Sequence, residues 1–567
     1  MTQIHNMSQL HHSLNSLQKP GSTETSTISK SCKNDDAIPT FLGFRGHLLG
    51  RVITIICGVG FLLFGYDQGV MGSLLTLKPF NETYSQMDTT LHKDAATLQG
   101  AVIAIYEIGC LAGALSTIYF GDKLGRLKVI FAGCIVMIIG GALQAGSTNV
   151  PFLAVARVIL GVGNGFLTST VPLYAAECSK ALSRGKTLCI QGCLITFGIC
   201  VSYWVDFAFY FTESYGDVSF RFPIAFQCVF PIIMIFFIFK LPESPRWLMA
   251  QGRDGEARIV FAALYDLPCN HQIVSQQIEE IEVSLNMDEK RSHSAWLMLR
   301  QGKLRHFQRV NLAGWAQVMQ QICGINLITY YAGTIYETYI GLSPFNARIV
   351  AACNGTEYFL ASLIPIFIIE KVGRRPLFII GAIGQFLTML FLFVAMEMAK
   401  QGHEGGSYGA AVLLFVFNSF FAVTYLSLTW LYPPEISSLE VRAPTTAVST
   451  ACNWSFNFMV VMITPVCFSN IAHHTYLIFA GINFLMIPVV YFLYPETKGR
   501  TLEEMDLIFA NTPVMKPWVS VRIAKEMPFA HMGDSKDLEQ YKASAVHKEN
   551  LDEASLFEDE VPEKVYS

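Results

Sequence analysis

Charge is what this sequence has least of. Of its 567 residues only 15% are Asp, Glu, Lys or Arg, while 52% are hydrophobic and the mean hydropathy is +0.39. A soluble protein carries roughly 25% charged residues. The deficit is spread along the chain as repeated apolar runs, which excludes a soluble body with a single tail anchor. The formal net charge is −4, and no basic tract invites a nucleic-acid partner. Fourteen cysteines lie mostly inside apolar runs, as at Cys57, Cys110, Cys134, Cys193, Cys323 and Cys452. They lack C-x-x-C spacing and a loop framework, which argues against a disulfide scaffold or metal site; such cysteines pack as small hydrophobes. No nucleophile–base pair stands at a membrane face, so neither an enzyme nor a cofactor is expected. Residues 1–40, rich in Ser, Thr, Asn and His, lack the apolar core of a signal peptide.

What is present is length in the apolar runs. A bilayer-spanning helix takes about 20 mostly apolar residues. Runs of that kind fall near 50–75, 97–120, 128–147, 151–175, 187–210 and 223–241, then near 312–338, 347–370, 376–398, 409–433, 446–468 and 473–494. The expected fold is an all-α membrane protein with twelve transmembrane helices in two six-helix bundles. Its parts are a disordered tail at 1–45, a first bundle at 46–241, a linker with short helices at 242–308, a second bundle at 309–495 and a tail at 496–567, polar and disordered from about 510. Lys123, Arg126, Lys128, Lys180, Arg184, Lys186, Lys371, Arg374 and Arg375 fall in even-numbered connections, whereas the odd-numbered ones hold chiefly Lys78, Lys93, Arg221 and Lys400. By the positive-inside rule both termini and the linker are cytosolic. The sequon Asn81-Glu82-Thr83 then faces outward and can accept a glycan. Lys536, Lys542 and Lys548 in the tail can receive ubiquitin, although a solvated tail explains them equally well.

The chain also repeats itself. Asp122-Lys123-Leu124-Gly125-Arg126 returns as Glu370-Lys371-Val372-Gly373-Arg374, about 250 residues on. Glu177 and Arg184-Gly185 are answered by Glu435 and Arg442-Ala443, and Pro242-Glu243 by Pro495-Glu496. Two copies of a half-protein in a membrane point to alternating access around a site between them. Gly125 and Gly373 suit tight turns with positive φ. Asp122, Arg126, Glu177, Arg184, Glu243, Arg246, Glu370, Arg374, Glu435, Arg442, Glu496 and Arg500 are the expected gating charges, latching helices in one conformation and releasing them in the other. The competing reading is that they are topology charges at membrane ends.

Charges inside the membrane cost about 3 kcal/mol or more each and mark functional positions. Asp67, Glu107, Arg157 and Glu357 are the four that stand out. A carboxyl balanced between burial, which favours the acid, and a nearby cation, which favours the anion, can load and release a proton. Arg157 is the natural partner of Asp67, against the alternative of a static salt bridge. Glu107 and Glu357 stand between packing and cleft lining. The densest polar cluster is Gln320-Gln321-x-x-Gly324-x-Asn326-x-x-x-Tyr330-Tyr331. Helical spacing crowds Gln320, Gln321, Asn326 and Tyr330 towards one side, and amides and phenols suit a ligand with many hydroxyls. Tyr425, Trp430, Asn453 and Trp454 add aromatic faces and amides. The alternative for all of these is interhelical glue.

Together these residues resemble the sugar porter family of the major facilitator superfamily over roughly residues 45–510. The likeness is carried by both cassettes, Pro172-x-Tyr174-x-x-Glu177 with Arg184-Gly185, Pro242-Glu243-Ser244-Pro245-Arg246-Trp247, the Gln320–Tyr331 cluster and Pro495-Glu496-Thr497-Lys498-Gly499-Arg500. Phe64-Gly65-Tyr66-Asp67-Gln68-Gly69, Tyr106-Glu107-Ile108-Gly109-Cys110, Arg221-Phe222-Pro223, Trp430-Leu431-Tyr432-Pro433-Pro434-Glu435-Ile436 and Thr450-Ala451-Cys452-Asn453-Trp454 are similar to the fungal branch of glycerol/proton symporters and related sugar transporters. The resemblance implies the major facilitator fold, substrate contact by Gln320, Gln321, Asn326, Tyr330 and Trp430, and a proton-coupling pair in Asp67 and Arg157. Asn453 and Gln191 join the substrate set. Two positions depart from the pattern. Ile118 replaces the leading glycine of the first cassette, and Gly192, with Gln191 before it, replaces a glutamine that contacts sugar in many relatives. The implied function is a plasma-membrane symporter for a proton and a small polyhydroxy solute, either a sugar or a polyol such as glycerol. The alternatives are a facilitative uniporter and a nutrient sensor; the tail is shorter than sensors of this type carry and lacks their repeats.

Overall fold

The computed structural model describes residues 38–89, 91, 94–179, 184–290, 298–299, 301–302, 304–438 and 441–528. Lys180, Lys536, Lys542 and Lys548 lie outside the described residues, and the side chains of Asp122 and Arg184 outside the described side chains. In the first half the long helices are α1 (Gly46–Leu74), α2 (Ala95–Leu124), α3 (Arg126–Ala145), α4 (Val150–Glu177), α5 (Arg184–Tyr210) and α6 (Val218–Ile238). In the second half, α7 is His306–Ile322 continued by Ile325–Thr334. Next, α8 is Pro344–Ser362 continued by Pro365–Val372 across a 44° bend. They are followed by α9 (Arg374–Lys400), α10 (Gly405–Ile436), α11 (Arg442–Ile471) and α12 (His474–Leu493).

Ten of these are long and apolar enough to cross a membrane alone, and the bent pair of α8 makes an eleventh. Of the twelve expected spans, α7 is the one that runs neither as a single long apolar helix nor as such a bent pair. Its first segment carries Gln308, Asn311, Gln317, Gln320 and Gln321, and the helix then breaks at Gly324, whose φ of +105° only glycine adopts without strain. The backbone freed there is satisfied internally, as a membrane interior requires: Asn483 of α12 donates to the Cys323 carbonyl at 2.9 Å. A second irregularity, a π turn at Ile335–Tyr339, follows directly. Broken helices of this kind line binding sites in transporters.

Local signals explain the other helix ends. The Asn149 side chain caps α4 by accepting from the Phe152 N–H at 2.9 Å, with Pro151 in the first turn. Ser343 caps α8 in the same way through Asn346, with Pro344 in the first turn. The duplicated turns have the expected backbone, with φ +88° at Gly125 and +103° at Gly373. Large apolar side chains such as Phe236 and Phe367, each 70% exposed, cover the outer faces where hydrocarbon would lie.

Of the described residues, 38–52 with Lys240–Asn286 form one compact unit, and Ile53–Phe239 with those between 287 and 528 the other. The first contains the short linker helices Pro245–Ala250 and Asp254–Tyr265. There Glu243 accepts from the Ser244 N–H at 2.9 Å, and Ser244 caps the helix that carries Arg246. The second contains both bundles from Ile53 of α1 onward.

The C-terminal stretch departs from expectation. Residues from about 510 were expected to be disordered, yet 511–528 are folded, with a helix at Val519–Glu526 after one at Leu502–Ala510. Thr501 and Glu504 form a reciprocal capping box. Arg309 of α7 meets Asp506 at 2.5 Å, and Arg305 donates to the Thr512 carbonyl at 2.8 Å. A short amphipathic turn such as Val519–Glu526 has no long apolar run to announce it.

Candidate functional site

Six amides of the second half form one hydrogen-bonded chain. Asn453 of α11 donates to Gln317 at 2.7 Å and to Gln320 at 2.9 Å, both on α7. Gln321 donates to the Gln320 carbonyl oxygen at 3.4 Å. Across the Gly324 break, Asn326 donates to Gln321 and to Asn457 of α11, the latter at 2.6 Å. The outer ends are anchored to the second segment of α10, past the break at Thr424, where Gln320 donates to the Tyr425 carbonyl at 3.2 Å and Gln317 to the Thr429 carbonyl at 3.0 Å. All six are buried. Of the residues expected to contact substrate, Gln320, Gln321, Asn326 and Asn453 are brought together here. Gln317 and Asn457 were missed, although they sit three residues before Gln320 and four after Asn453, on the same helix faces.

The first half contributes acids. Tyr330 of α7, fully buried, donates its hydroxyl to Glu107 Oε1 of α2 at 2.5 Å, so a carboxyl of one half meets the polar cluster of the other. One residue earlier, Tyr106 donates to Asp67 Oδ2 of α1 at 3.4 Å. Arg157 of α4 lies over the Tyr106 ring, 5.3 Å from its centroid, and donates to the Ile103 carbonyl at 2.8 Å. Asp67 and Arg157 therefore make no direct ion pair. Both contact Tyr106 instead, and the Arg157 charge acts on Asp67 through space. Asp67 Oδ1, Glu107 Oε2 and Arg157 Nε have no hydrogen-bond partner among the described residues. Consecutive residues on a helix point about 100° apart, so Tyr106 and Glu107 turn one step of α2 towards each group.

Trp430 and Gln191 are not drawn into this network. Trp430 is half-buried on α10, and the Gln191 Oε1 is buried without a partner. At Gly192 the two halves touch: an added Cβ would stand 3.0 Å from Ser427 Oγ and 3.6 Å from Leu426 of α10. Glu357 accepts from Ser419 in a groove of about 500 Å³ lined by Trp204, Leu360 and Ile364, which shares no residue with the amide chain.

The cassette charges bind within each half. Arg126 pairs with Glu177 through two bonds of 3.1 Å. Arg374 pairs with Glu435 at 2.7 Å and with Glu370 at 3.0 Å, while Glu496 accepts from the Arg374 and Arg375 N–H groups at 2.9 and 3.0 Å. Arg442 begins α11 and is partly buried. Arg500 donates to the carbonyls of Ala524, Met527 and Pro528 and so contacts the C-terminal helix. Burial pulls its guanidinium below the ordinary value and Glu504 pushes it back up.

At the opposite end of the bundles, contacts run between halves. Tyr203 of α5 donates to the Thr329 carbonyl of α7 at 2.6 Å. Arg348 of α8, buried, pairs with Glu337 at 3.1 Å, donates to Thr76 after α1 at 3.0 Å and lies over the Tyr210 ring. Asp206 of α5 is 2% exposed with neither oxygen bonded among the described residues. Sequence reading missed Arg348 and Asp206, since both lie towards the ends of their spans where charges are common.

Two helical bundles closed around a buried polar centre, with a broken helix lining it, define a multi-pass transporter of the major facilitator type. Residues 52–509 match the family described as "Sugar (and other) transporter". The chain belongs to that family, the sugar porters, and is a membrane transporter rather than an enzyme. It is 39% identical over 503 residues to the sugar transporter STL1 of Saccharomyces cerevisiae, covering 87% of each chain. It is 30% identical over 500 residues to the high-affinity glucose transporter of Kluyveromyces lactis, covering 84% of this chain and 88% of that one. Among solved structures, the inward-open xylose transporter XylE from E. coli aligns with a TM-score of 0.65 at 26% identity, covering 81% of this chain and 99% of that one.

Proposed function

We propose that this sugar porter carries a small polyhydroxy solute, a sugar or a polyol such as glycerol, into the cell together with a proton. It does so at the plasma membrane, with both termini and the linker cytosolic and the Arg126 and Arg374 cassettes on the inner face. The observation that carries the reading is the sequence of contacts Arg157–Tyr106–Asp67 beside Glu107–Tyr330 and the amide chain. An ionised Asp67 is held by the Tyr106 hydroxyl and by the field of Arg157. A protonated one is gripped less by both, which frees α1 relative to α2 and α4 and favours the outward-open, solute-binding state. Release of the proton inside restores the grip and resets the cycle. Hydroxyls of the solute exchange bonds with amides that otherwise bond one another, so neither partner is left unsatisfied. The similarity to a sugar transporter and a high-affinity glucose transporter supports the solute class. A solved structure described as the D-xylose–proton symporter, 25% identical, supports the coupling.

Cells expressing the chain should take up labelled glycerol, xylose or glucose in competition with one another, faster at the lower of two external pH values, with alkalinisation of the medium on solute addition. Uptake indifferent both to an uncoupler and to Asp67→Asn would replace symport with facilitated diffusion.

A further inference from the structure

We infer that Glu107 is the side chain by which the first half takes hold of the solute, in the role left open at Gly192. The inference rests on the polyhydroxy-solute reading above and assigns the missing contact within that site. Three observations converge on it. Glu107 is fully buried, and Oε1 accepts from Tyr330 at 2.5 Å across the two halves, with Asn457 of the amide chain flanking the same carboxyl. The other first-half candidates are poorly placed: Gly192 has no side chain and is backed by Ser427 and Leu426, and no hydrogen bond joins Gln191 to Tyr330 or the amide chain among the described residues. Finally, Glu107 Oε2 is buried and makes no hydrogen bond among the described residues.

The chemistry follows from the contrast with the second half. Amides both donate and accept, and here they satisfy one another. An ionised carboxylate only accepts, and its bonds to hydroxyls are stronger than neutral ones. The Tyr330 hydroxyl on Glu107 is an O–H donor of the kind a sugar or polyol offers. A solute hydroxyl can therefore take its place on the carboxylate and release Tyr330 to the solute as well. Because Tyr106 follows the same turn of α2 and bonds Asp67, a solute pulling on Glu107 is felt one residue away at the proton-binding acid. This places solute and proton on one helix step.

Uptake kinetics of labelled glycerol, xylose and glucose, measured in cells lacking their own carriers and normalised to carrier at the surface, test the assignment. For whichever probe the wild type carries, Glu107→Ala should raise KM roughly 10- to 100-fold, the range of a lost hydrogen bond to a charged group, with the maximal rate changed no more than about threefold. Glu107→Gln keeps a carbonyl acceptor and should lose less, and it serves as the reporter if the alanine variant does not reach the membrane. Gln191→Ala should leave KM within about twofold. Unchanged KM in both Glu107 variants, a fall in maximal rate alone, or a KM rise in Gln191→Ala equal to that of Glu107→Ala overturns the assignment while sparing the solute reading. A wild type that carries none of the three probes overturns both.

Discussion

The two halves of this transporter carry the same turns but fill the centre with opposite chemistry. The first half offers acids with unfilled hydrogen-bonding capacity: Asp67 has one bonded oxygen and one unbonded, and so has Glu107. The second offers six amides that bond one another and carbonyls of α10. An amide network that is internally satisfied forms a stiff surface with one arrangement. A buried acid with an unbonded oxygen is costly as an anion unless a partner is supplied, so its state answers to proton and partner. The difference suggests which half senses and which half holds. It also explains why the duplicated cassettes, Arg126–Glu177 and Arg374–Glu435, tie helices within a half: each half has to move as one body.

The largest effect should come from abolishing the acid side. Asp67→Asn is expected to lower accumulation of solute against a gradient at least about tenfold and to flatten its dependence on external pH. Exchange of labelled for unlabelled solute should persist, since exchange needs no net proton movement. Persistence of pH-driven accumulation would show that the acids do not divide the labour as argued. On the amide side, Asn326→Ala breaks the link across the Gly324 break and should raise KM by roughly tenfold, with the pH profile of transport unmoved. A shifted pH profile would merge the two roles. A smaller change is expected at the seam between halves. Gly192→Gln forces side-chain atoms against Ser427 and Leu426, costing about 1–3 kcal/mol of overpacking, which should appear as a lower melting temperature of the purified protein. The smallest is Thr76→Val, which removes one bond from Arg348. A loss of about 1 kcal/mol should increase the reactivity of a cysteine placed near Tyr210, at the end where the contacts run between halves.

Some of this site is readable from residue order and some is not. The amides of α7 announce themselves because Gln320, Gln321 and Asn326 lie within two turns of one segment, and Gln317 and Asn457 could have been added by the same spacing rule. Glu107 is visible as a charge in an apolar run, but its partner Tyr330 is 223 positions away and on the other half. The absence of a direct Asp67–Arg157 contact has a related reason. An aromatic ring one helix over occupies the space between the charges, and ring placement depends on how α1, α2 and α4 pack. Arg500 closes the Pro495–Arg500 motif, yet its guanidinium is claimed by the last helix, whose docking no local signal records.

Apolar run length, charge asymmetry and internal repetition by themselves determined that this is a membrane transporter of two related halves, because hydrophobic thickness and loop charge act locally along the chain. The break at Gly324, the closure of the halves on Glu107–Tyr330 and the insertion of Tyr106 between acid and base were decided only by tertiary structure. Those are contacts between residues distant in sequence, set by helix packing in three dimensions.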